Sequence, residues 1–384
     1  MNYFQLGKFS ASQTRCVAKN LRHQHGLTLI ELMISIVIGL FLVGGVLSIF
    51  VSTNQTSKLN DNLMRVQENA RSAFDLMARD IREAGQNPCG ARKNIANVLR
   101  TASGEIPVWT DWNSGTLRGY DDTEASTDIK AFGTTAAARV SGTDAFLIIK
   151  ADADEKSIES HNTGSTFFTL TTTGSGFKRN DIAFICDALS SAIFQIYSVA
   201  TASGKDKVYH QADVTNMNCG NFLKPIPIPP ILPDTLTTCP STVQAFIVDA
   251  TATPEVRIAL LASSFWYVGN SGSGKRSLYR SKITRSGTGG NTIIMKADEV
   301  IPDVQDLQVT YLTRDGTNGT LATNWVAAST ITDWADDNTT SQIVAVKLDL
   351  TLQTVDKVST SQAVIQRHLI HVVGLRNREV FVAP

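Results

Sequence analysis

His25–Met33 reads HGLTLIELM, and it leads into a 25-residue apolar run, Leu27–Val51, whose one charged side chain is Glu31. An ionised side chain inside a bilayer costs at least ~2.5–3.5 kcal/mol, so a residue of this kind is expected to have a function. As a helix the run would extend about 37 Å, enough to cross a hydrocarbon core of ~30 Å with some tilt. The sequence therefore predicts a membrane helix with a functional acid near its start.

The segment before this run, residues 1–26, is polar and basic. It contains Lys8, Arg15, Lys19 and Arg22 but no Asp or Glu, which is typical of a flank on the cytoplasmic side. A secretory signal peptide would have a shorter apolar segment followed by its cleavage site. Here the junction comes first, so the apolar run is expected to remain in the mature chain.

The junction resembles the signal of type IV prepilins and of type II secretion pseudopilins. In that family a prepilin peptidase cuts after a Gly, and the text that usually follows is Phe-Thr-Leu-Ile-Glu. The resemblance implies cleavage between Gly26 and Leu27, N-methylation of Leu27, and a role for Glu31 in setting the register of subunits in a filament. Leu27 replaces the commoner Phe and is also apolar. The simpler alternative is an ordinary single-pass anchor that tolerates one Glu.

The helical pattern continues beyond the apolar run. Gly85, Asn87 and Pro88 then favour the end of the helix. Leu27–Ala84 is therefore predicted to be one helix of about 87 Å. Apolar residues at spacings of three and four predict one buried stripe along its second half: Leu59, Leu63, Val66, Ala70, Ala73, Met77, Ile81 and Ala84.

Charge and cysteine content restrict the partners and the compartment. The chain has 35 basic and 35 acidic residues; without residues 1–26 the counts are 31 and 35. There is no basic patch of the density expected for nucleic acid, so nucleic acid is not an indicated partner. Four cysteines follow the apolar run, an even number that suits an oxidising periplasm: Cys89, Cys186, Cys219 and Cys239.

Four cysteines allow three pairings, and the sequence does not decide among them. The pairing we favour is Cys89–Cys186 with Cys219–Cys239. The second bond would close a loop around a Pro-rich segment, which is worth roughly 3 kcal/mol in the chain-entropy model. A zinc site is the alternative, but no Cys-x-x-Cys pair is present.

Residues 87–384 show a β pattern. Ten runs rich in Ile, Val, Phe and Tyr predict strands: Ala145–Lys150, Asp181–Cys186, Ile193–Val199, Ala245–Val248, Val256–Leu261, Phe265–Val268, Thr292–Lys296, Leu307–Leu312, Ile343–Leu352 and Val364–Val373. Gly115–Thr127 and Thr313–Asn324 are predicted to be surface loops. The predicted fold class is α+β, with a long N-terminal helical stalk packed on a large antiparallel β head. The expected divisions are a leader (1–26), a membrane helix (27–51), its amphipathic continuation (52–86) and a head (87–384).

A second resemblance lies in the C-terminal half. Arg257–Leu261, Ser277–Arg280, Val300–Tyr311 and Gly374–Arg378 read RIALL, SLYR, VIPDVQDLQVTY and GLRNR. In this order they resemble the head of PilW-type minor pilins, which are akin to the J-type pseudopilins. The resemblance implies two strands, an acidic-flanked helix or turn that leads into a third strand, and a terminal segment. Residues 90–236 resemble no family that we can name.

Other motifs predict no catalysis, cofactor or metal. Gly269–Arg276 reads GNSGSGKR, but a phosphate-binding loop needs Ser or Thr where Arg276 stands, so the segment predicts a hairpin loop. Two acidic groups lack the spacing of a calcium loop: Asp152, Asp154 and Glu155, then Asp333, Asp336 and Asp337. Four histidines are scattered, and the last two, three apart in a strand, should face opposite ways: His161, His210, His368 and His371.

The leading hypothesis is a PilW-like minor pilin that takes part in initiating a type IV pilus or in its tip complex. Its expected partners are other minor and major pilins, the prepilin peptidase and the inner membrane, with the head in the periplasm. One alternative is a minor pseudopilin of type II secretion, which would use the same chemistry in another machine. The other is a membrane-anchored periplasmic binding protein, which would not be cleaved at Gly26.

Overall fold

The structure is a computed structural model. It describes residues 28–90, 95–126, 129–162, 164–187, 190–221, 223, 246, 256–286, 292–336, 338, 340–355 and 363–375. The chain divides into two compact units, residues 1–57 and 58–384. The predicted cleavage site, Gly26 and Leu27, lies outside the described residues.

One long helix, α1, spans Leu29–Arg82, close to the predicted bounds. In the first unit, the large apolar side chains from Leu29 to Val51 are exposed. In length and composition α1 is able to cross a membrane. Within the second unit the helix instead buries one face, as the stripe predicted: Val66, Ala70, Ala73, Met77 and Ile81.

Fifteen strands are described, and they confirm the α+β class. They are β1 (Ile95–Asn97), β2 (Leu117–Tyr120), β3 (Ala145–Ala151), β4 (Lys156–Ser160), β5 (Phe167–Leu170), β6 (Ile182–Cys186), β7 (Ser191–Gln195), β8 (Ser198–Ala202), β9 (Lys205–Tyr209), β10 (Arg257–Asn270), β11 (Arg276–Ser286), β12 (Thr292–Pro302), β13 (Val304–Arg314), β14 (Gln342–Gln353) and β15 (Gln366–Gly374). Two short 3-10 helices occupy Val108–Thr110 and Ala328–Thr330.

The strands form two sheets. Twelve strands belong to one sheet, and β13, β14 and β15 form a separate antiparallel sheet. Strand β10 organises the larger sheet because it is long enough to have different neighbours along its length. Its first residues pair with β6 and β4, and its later residues pair with β3 and β11.

The end of α1 is joined directly to the larger sheet. Gly85 has a φ of 73°, the left-handed conformation that commonly ends a helix. Its N–H donates to Ile149 O on β3 at 3.0 Å, and Ala151 N donates back to Gln86 O at 2.8 Å. These two hydrogen bonds hold the residues just after α1 alongside β3.

Two predicted strands are joined into one in the structure, and burial explains why. The predicted strands Val256–Leu261 and Phe265–Val268 fall in the single strand β10, and the serines between them, Ser263 and Ser264, are buried. Both faces of β10 are covered: Trp266 packs in the cluster that includes α1, and Phe265 packs in a second cluster. A strand covered on both faces need not alternate apolar with polar residues.

Two further predictions need correction. The predicted strand Ile193–Val199 is split between β7 and β8. The predicted surface loop Gly115–Thr127 contains β2, in which Leu117 and Tyr120 are buried. Of the predicted strand Ala245–Val248, only Phe246 lies within the described residues.

Candidate assembly site

Glu31 forms a reciprocal cap at the start of α1. Its backbone N–H donates to Thr28 Oγ1 at 3.3 Å, and its carboxylate accepts from Thr28 N and from Thr28 Oγ1, each at 3.4 Å. This is the capping-box pattern, in which Ser or Thr at the cap and Glu three residues later satisfy each other's free N–H groups. The distances are long, so the box is weak and the carboxylate can exchange its partner at small cost.

The electrostatic setting of Glu31 favours an anion. The first turn of a helix carries partial positive charge from its free N–H groups, which attracts a carboxylate there. Glu31 is exposed, and it is the single charged residue in the stretch 28–57. Because Thr28 and Glu31 both follow the predicted cut, cleavage would leave the box intact and would add a cationic amine at Leu27.

The opposite end of α1 is held by an ionic cluster inside the second unit. Asp80 is buried, accepts from Trp266 Nε1 at 2.8 Å and from Lys150 Nζ at 3.0 Å, and lies 3.6 Å from Arg280 Nη1. Lys150 also donates to Glu83. Burial lowers the pKa of Lys150, but the Asp80 charge and the hydrogen bonds to both carboxylates outweigh it, so the net pKa is raised. The cluster therefore fixes the last turns of α1 to β3, β10 and β11.

A disulfide bond also holds the segment that follows α1. Cys89 and Cys186, the last residue of β6, are bonded, with their Cα atoms 5.9 Å apart. This is the first of the two bonds that we favoured. Cys219 is also disulfide-bonded, whereas Cys239 lies outside the described residues.

The phosphate-loop-like segment is a hairpin turn, as predicted. Asn270 pairs with Arg276, so the chain passes directly from β10 to β11. No helix follows the loop, and Lys275 Nζ donates to Asp303 Oδ1 at 3.1 Å. The segment therefore lacks the helix N-terminus that a phosphate site of this type requires.

The acidic groups serve local structure. Glu155 pairs with Arg257, and Asp154 pairs with Lys156. Asp336 accepts two hydrogen bonds from Thr116, while Asp337 lies outside the described residues. Among the residues that the structure describes, no group of three or more His, Cys, Asp or Glu side chains could hold a metal ion.

Two of the four histidines, which the sequence predicted to be scattered, meet in the structure. His161 and His210, far apart in the chain, bring their Nε2 atoms to 3.2 Å. His368 and His371 do face opposite ways: His368 contacts Thr351 Oγ1, and the His371 ring stacks on Phe74 of α1. No local pattern marks the first pair, because its two members follow different strands.

Two family models match the chain, one in its N-terminal part and one in its C-terminal part. A model of the prokaryotic N-terminal methylation motif matches residues 21–47, which include Gly26, Leu27 and Glu31. A model of type IV pilus-assembly protein W matches residues 265–375. Together the two matches support a PilW-like minor pilin of a type IV pilus. No curated protein and no solved structure gives a significant match.

The region matched to type IV pilus-assembly protein W runs from within β10 to the residue after β15. It contains Trp266 and Arg280, two of the three residues that contact Asp80, whereas Lys150 lies outside it. The acidic-flanked helix or turn implied by the second resemblance is a turn: Asp303, at a φ of 60°, separates β12 from β13. The final Arg376–Arg378 lies outside the described residues.

Proposed function

We propose that this PilW-like minor pilin is cleaved between Gly26 and Leu27, is N-methylated on Leu27, and helps to initiate a type IV pilus or to form its tip complex. The observation that carries the proposal is the joint presence of a methylation motif and a PilW head in one chain. Both families are structural, and we propose no catalytic role and no cofactor.

The proposed topology is a single pass through the inner membrane with the head in the periplasm. The basic leader supports a cytoplasmic start. The apolar side chains of α1 up to Val51 are exposed, as a lipid-facing or subunit-facing helix requires. The disulfide-bonded Cys89, Cys186 and Cys219 suit an oxidising compartment. The proposed divisions remain residues 1–26, 27–51, 52–86 and 87–384.

The proposed mechanism of assembly centres on one charge. After cleavage, the cationic amine of Leu27 on a neighbouring pilin would pair with the Glu31 carboxylate. In a poorly solvated filament core such a pair specifies register more than it adds stability. The weak hydrogen bonds from Thr28 would hold the carboxylate in the waiting subunit and yield to the stronger charged partner.

Neighbouring helices have room to approach α1. A Cβ placed on Gly39, Gly44 or Gly45 would meet no atom within 4 Å. Small residues at such positions allow close helix packing in an apolar environment. The proposed partners in this contact are other minor pilins and the major pilin, while the prepilin peptidase would act earlier on the leader.

The test is deletion of the gene and complementation, with surface pili counted and their lengths measured. An initiation role predicts fewer pili of ordinary length, restored by the intact chain. A matched control replaces residues 1–51 with an unrelated single-pass anchor and keeps the head; it should not restore the count. Unchanged pilus numbers combined with lost protein secretion would contradict the proposal and favour a pseudopilin. Restoration by the anchor-swapped head would favour a periplasmic binding protein.

A further inference from the structure

Two histidines that the proposed function does not use meet inside the head. His161 directly follows β4 and His210 directly follows β9. Their Nε2 atoms are 3.2 Å apart, and their rings are nearly perpendicular with centroids at 5.2 Å. His210 is completely buried and His161 nearly so. Because the pair is buried, the hydrogen bonds that its ring nitrogens form decide which of those nitrogens carry a proton.

That arrangement follows from one backbone contact. The N–H of Phe246 donates to His161 Nδ1 at 3.1 Å, so this nitrogen carries the lone pair and the proton of His161 is on Nε2. His161 Nε2–H then donates to His210 Nε2, which places the proton of His210 on Nδ1. Among the described residues that Nδ1 has no hydrogen-bond partner. The tautomer also leaves His161 Nε2 without a lone pair for a metal ion.

The surroundings of the pair are aromatic. Rings from β5, from β7 and from the chain at position 246 pack around it: Phe168, Phe194 and Phe246. These side chains offer no charge that could balance an imidazolium.

The charged groups on the adjoining strands are engaged elsewhere. On β4 and β9, Glu159 pairs with Lys205. Asp206 accepts hydrogen bonds from Ser175 and Thr201. The remaining titratable groups on these two strands are Lys156, which pairs with Asp154, Lys207, which lies over the Phe167 ring, and Tyr209, whose ring packs on Phe167. Strands β5 and β7 carry no titratable residue. Within the described residues of these four strands, no carboxylate is therefore left to balance a proton on either histidine.

We propose that the His161–His210 pair is an acid-sensitive contact, and that its protonation opens the part of the head formed by β4, β5 and β9. A proton on His161 Nδ1 displaces the Phe246 N–H, and a proton on His210 Nε2 opposes the N–H of His161. Either event also leaves an uncompensated charge among aromatic rings, which water would enter to solvate. The contact thus holds at neutral pH and fails in acid.

The direction of the pH effect follows from burial. Burial lowers the pKa of His161 to about 4, and burial followed by the proximity of His161 lowers the pKa of His210 to about 3. In an opened region each ring would titrate near ~6.5. The stabilisation is therefore complete above about pH 6.5 and is lost as the pH falls towards 4. Between pH 7 and pH 5, each newly exposed ring should raise the open population about twenty-fold.

The test is hydrogen exchange by mass spectrometry on the full chain in detergent micelles at pH 7 and pH 5, with rates normalised to the intrinsic exchange rate. Peptides that cover β4, β5 and β9 should lose protection at least ten-fold at pH 5, while β14 should not. The double variant H161Q/H210Q keeps amide donors and acceptors but cannot titrate, so its protection should be nearly independent of pH. H368Q, on an exposed strand, should behave as the wild type. Equal losses in the double variant and the wild type would overturn the proposal.

A second measurement does not depend on how the double variant folds. Histidine ring carbons of the wild-type chain, labelled and assigned with single variants, are followed by NMR from pH 8 to pH 4.5. Signals of His161 and His210 in the closed form should stay at their neutral positions down to about pH 5, and an opened form should appear below that pH. Titration of either closed-form signal near pH 6.5 would contradict the proposal.

Discussion

Glu31 has two separable features, its shape and its charge. Its shape completes the capping box with Thr28. Its charge is the one ionised group in an exposed apolar stretch. A glutamine can occupy the same position in a capping box, so the two features can be tested one at a time.

We expect E31Q to be cleaved and inserted and to begin its helix normally, yet to fail in supporting piliation because it cannot pair with a cationic amine. E31A should fail equally, with an additional small loss of order at the start of α1. Pilus counts in a complemented deletion strain measure the effect, and membrane fractionation controls for insertion. Piliation by E31Q at the wild-type level, with failure of E31A, would show that the box and not the charge is required.

At the scale of elements, α1 depends on the ionic cluster around Asp80. We expect D80N to lower the free energy of unfolding by roughly 2–3 kcal/mol, because it removes charged hydrogen bonds to Lys150 and Trp266 in a buried site. Denaturant titration of the full chain, followed by Trp fluorescence, measures the loss.

The matched control for that variant is D75N on the same helix. Asp75 forms an exposed pair with Arg71 at 4.0 Å, and exposed pairs contribute about 0–1 kcal/mol. An unfolding free energy for D80N equal to that of D75N would contradict the anchoring role of Asp80.

The two sheets are joined by a second buried acid, Asp144. Its N–H donates to Leu307 O, and its Oδ2 accepts from Val309 N on β13, each at 2.8 Å. Burial raises the pKa of Asp144 to about 6, against the lowering effect of the Val309 hydrogen bond. Nearby carboxylates raise it further: Asp121, Asp122 and Asp306. Ionisation of Asp144 is therefore unfavourable in the fold at neutral pH, although its charge attracts the buried Arg139, and the cost declines as the pH falls from about 6 towards 4.

We expect D144N to be more stable than the wild type at pH 7.5 by about 1–3 kcal/mol, since Asn keeps the acceptor for Val309 and removes the charge. The difference should shrink as the pH falls through 6 and disappear near pH 4. Thermal unfolding at several pH values measures it. A stability difference that is independent of pH would contradict the account of Asp144.

How much the sequence predicted depends on whether a feature is local. The helix and its buried stripe follow from spacings of three and four residues, and they were predicted almost to the residue. The contact of His161 with His210 and the two-faced burial of β10 depend on packing between distant segments, which periodicity does not report. Asp80 is an intermediate case: it lies beside the stripe residues Met77 and Ile81, and an acid at that position could have been recognised as buried.

At the scale of the whole molecule, the assignment depends on the two ends of the chain. The first matched region, residues 21–47, includes the predicted processing site. The second, residues 265–375, includes Trp266 and Arg280, which contact Asp80 of α1. Strands β1–β9, with the histidine pair, lie between them and are matched by neither family. We therefore expect the processing and assembly common to pilins to depend on the two matched regions. Properties particular to this chain should depend on β1–β9.

We expect the chain to be processed and used as a pilin. Mass analysis of its N-terminus, on membrane protein from cells with and without the prepilin peptidase, tests this most directly. With the peptidase, the chain should begin at Leu27 and carry one added methyl group. Without the peptidase, it should retain the leader. A chain that keeps Met1 in both samples would contradict the account.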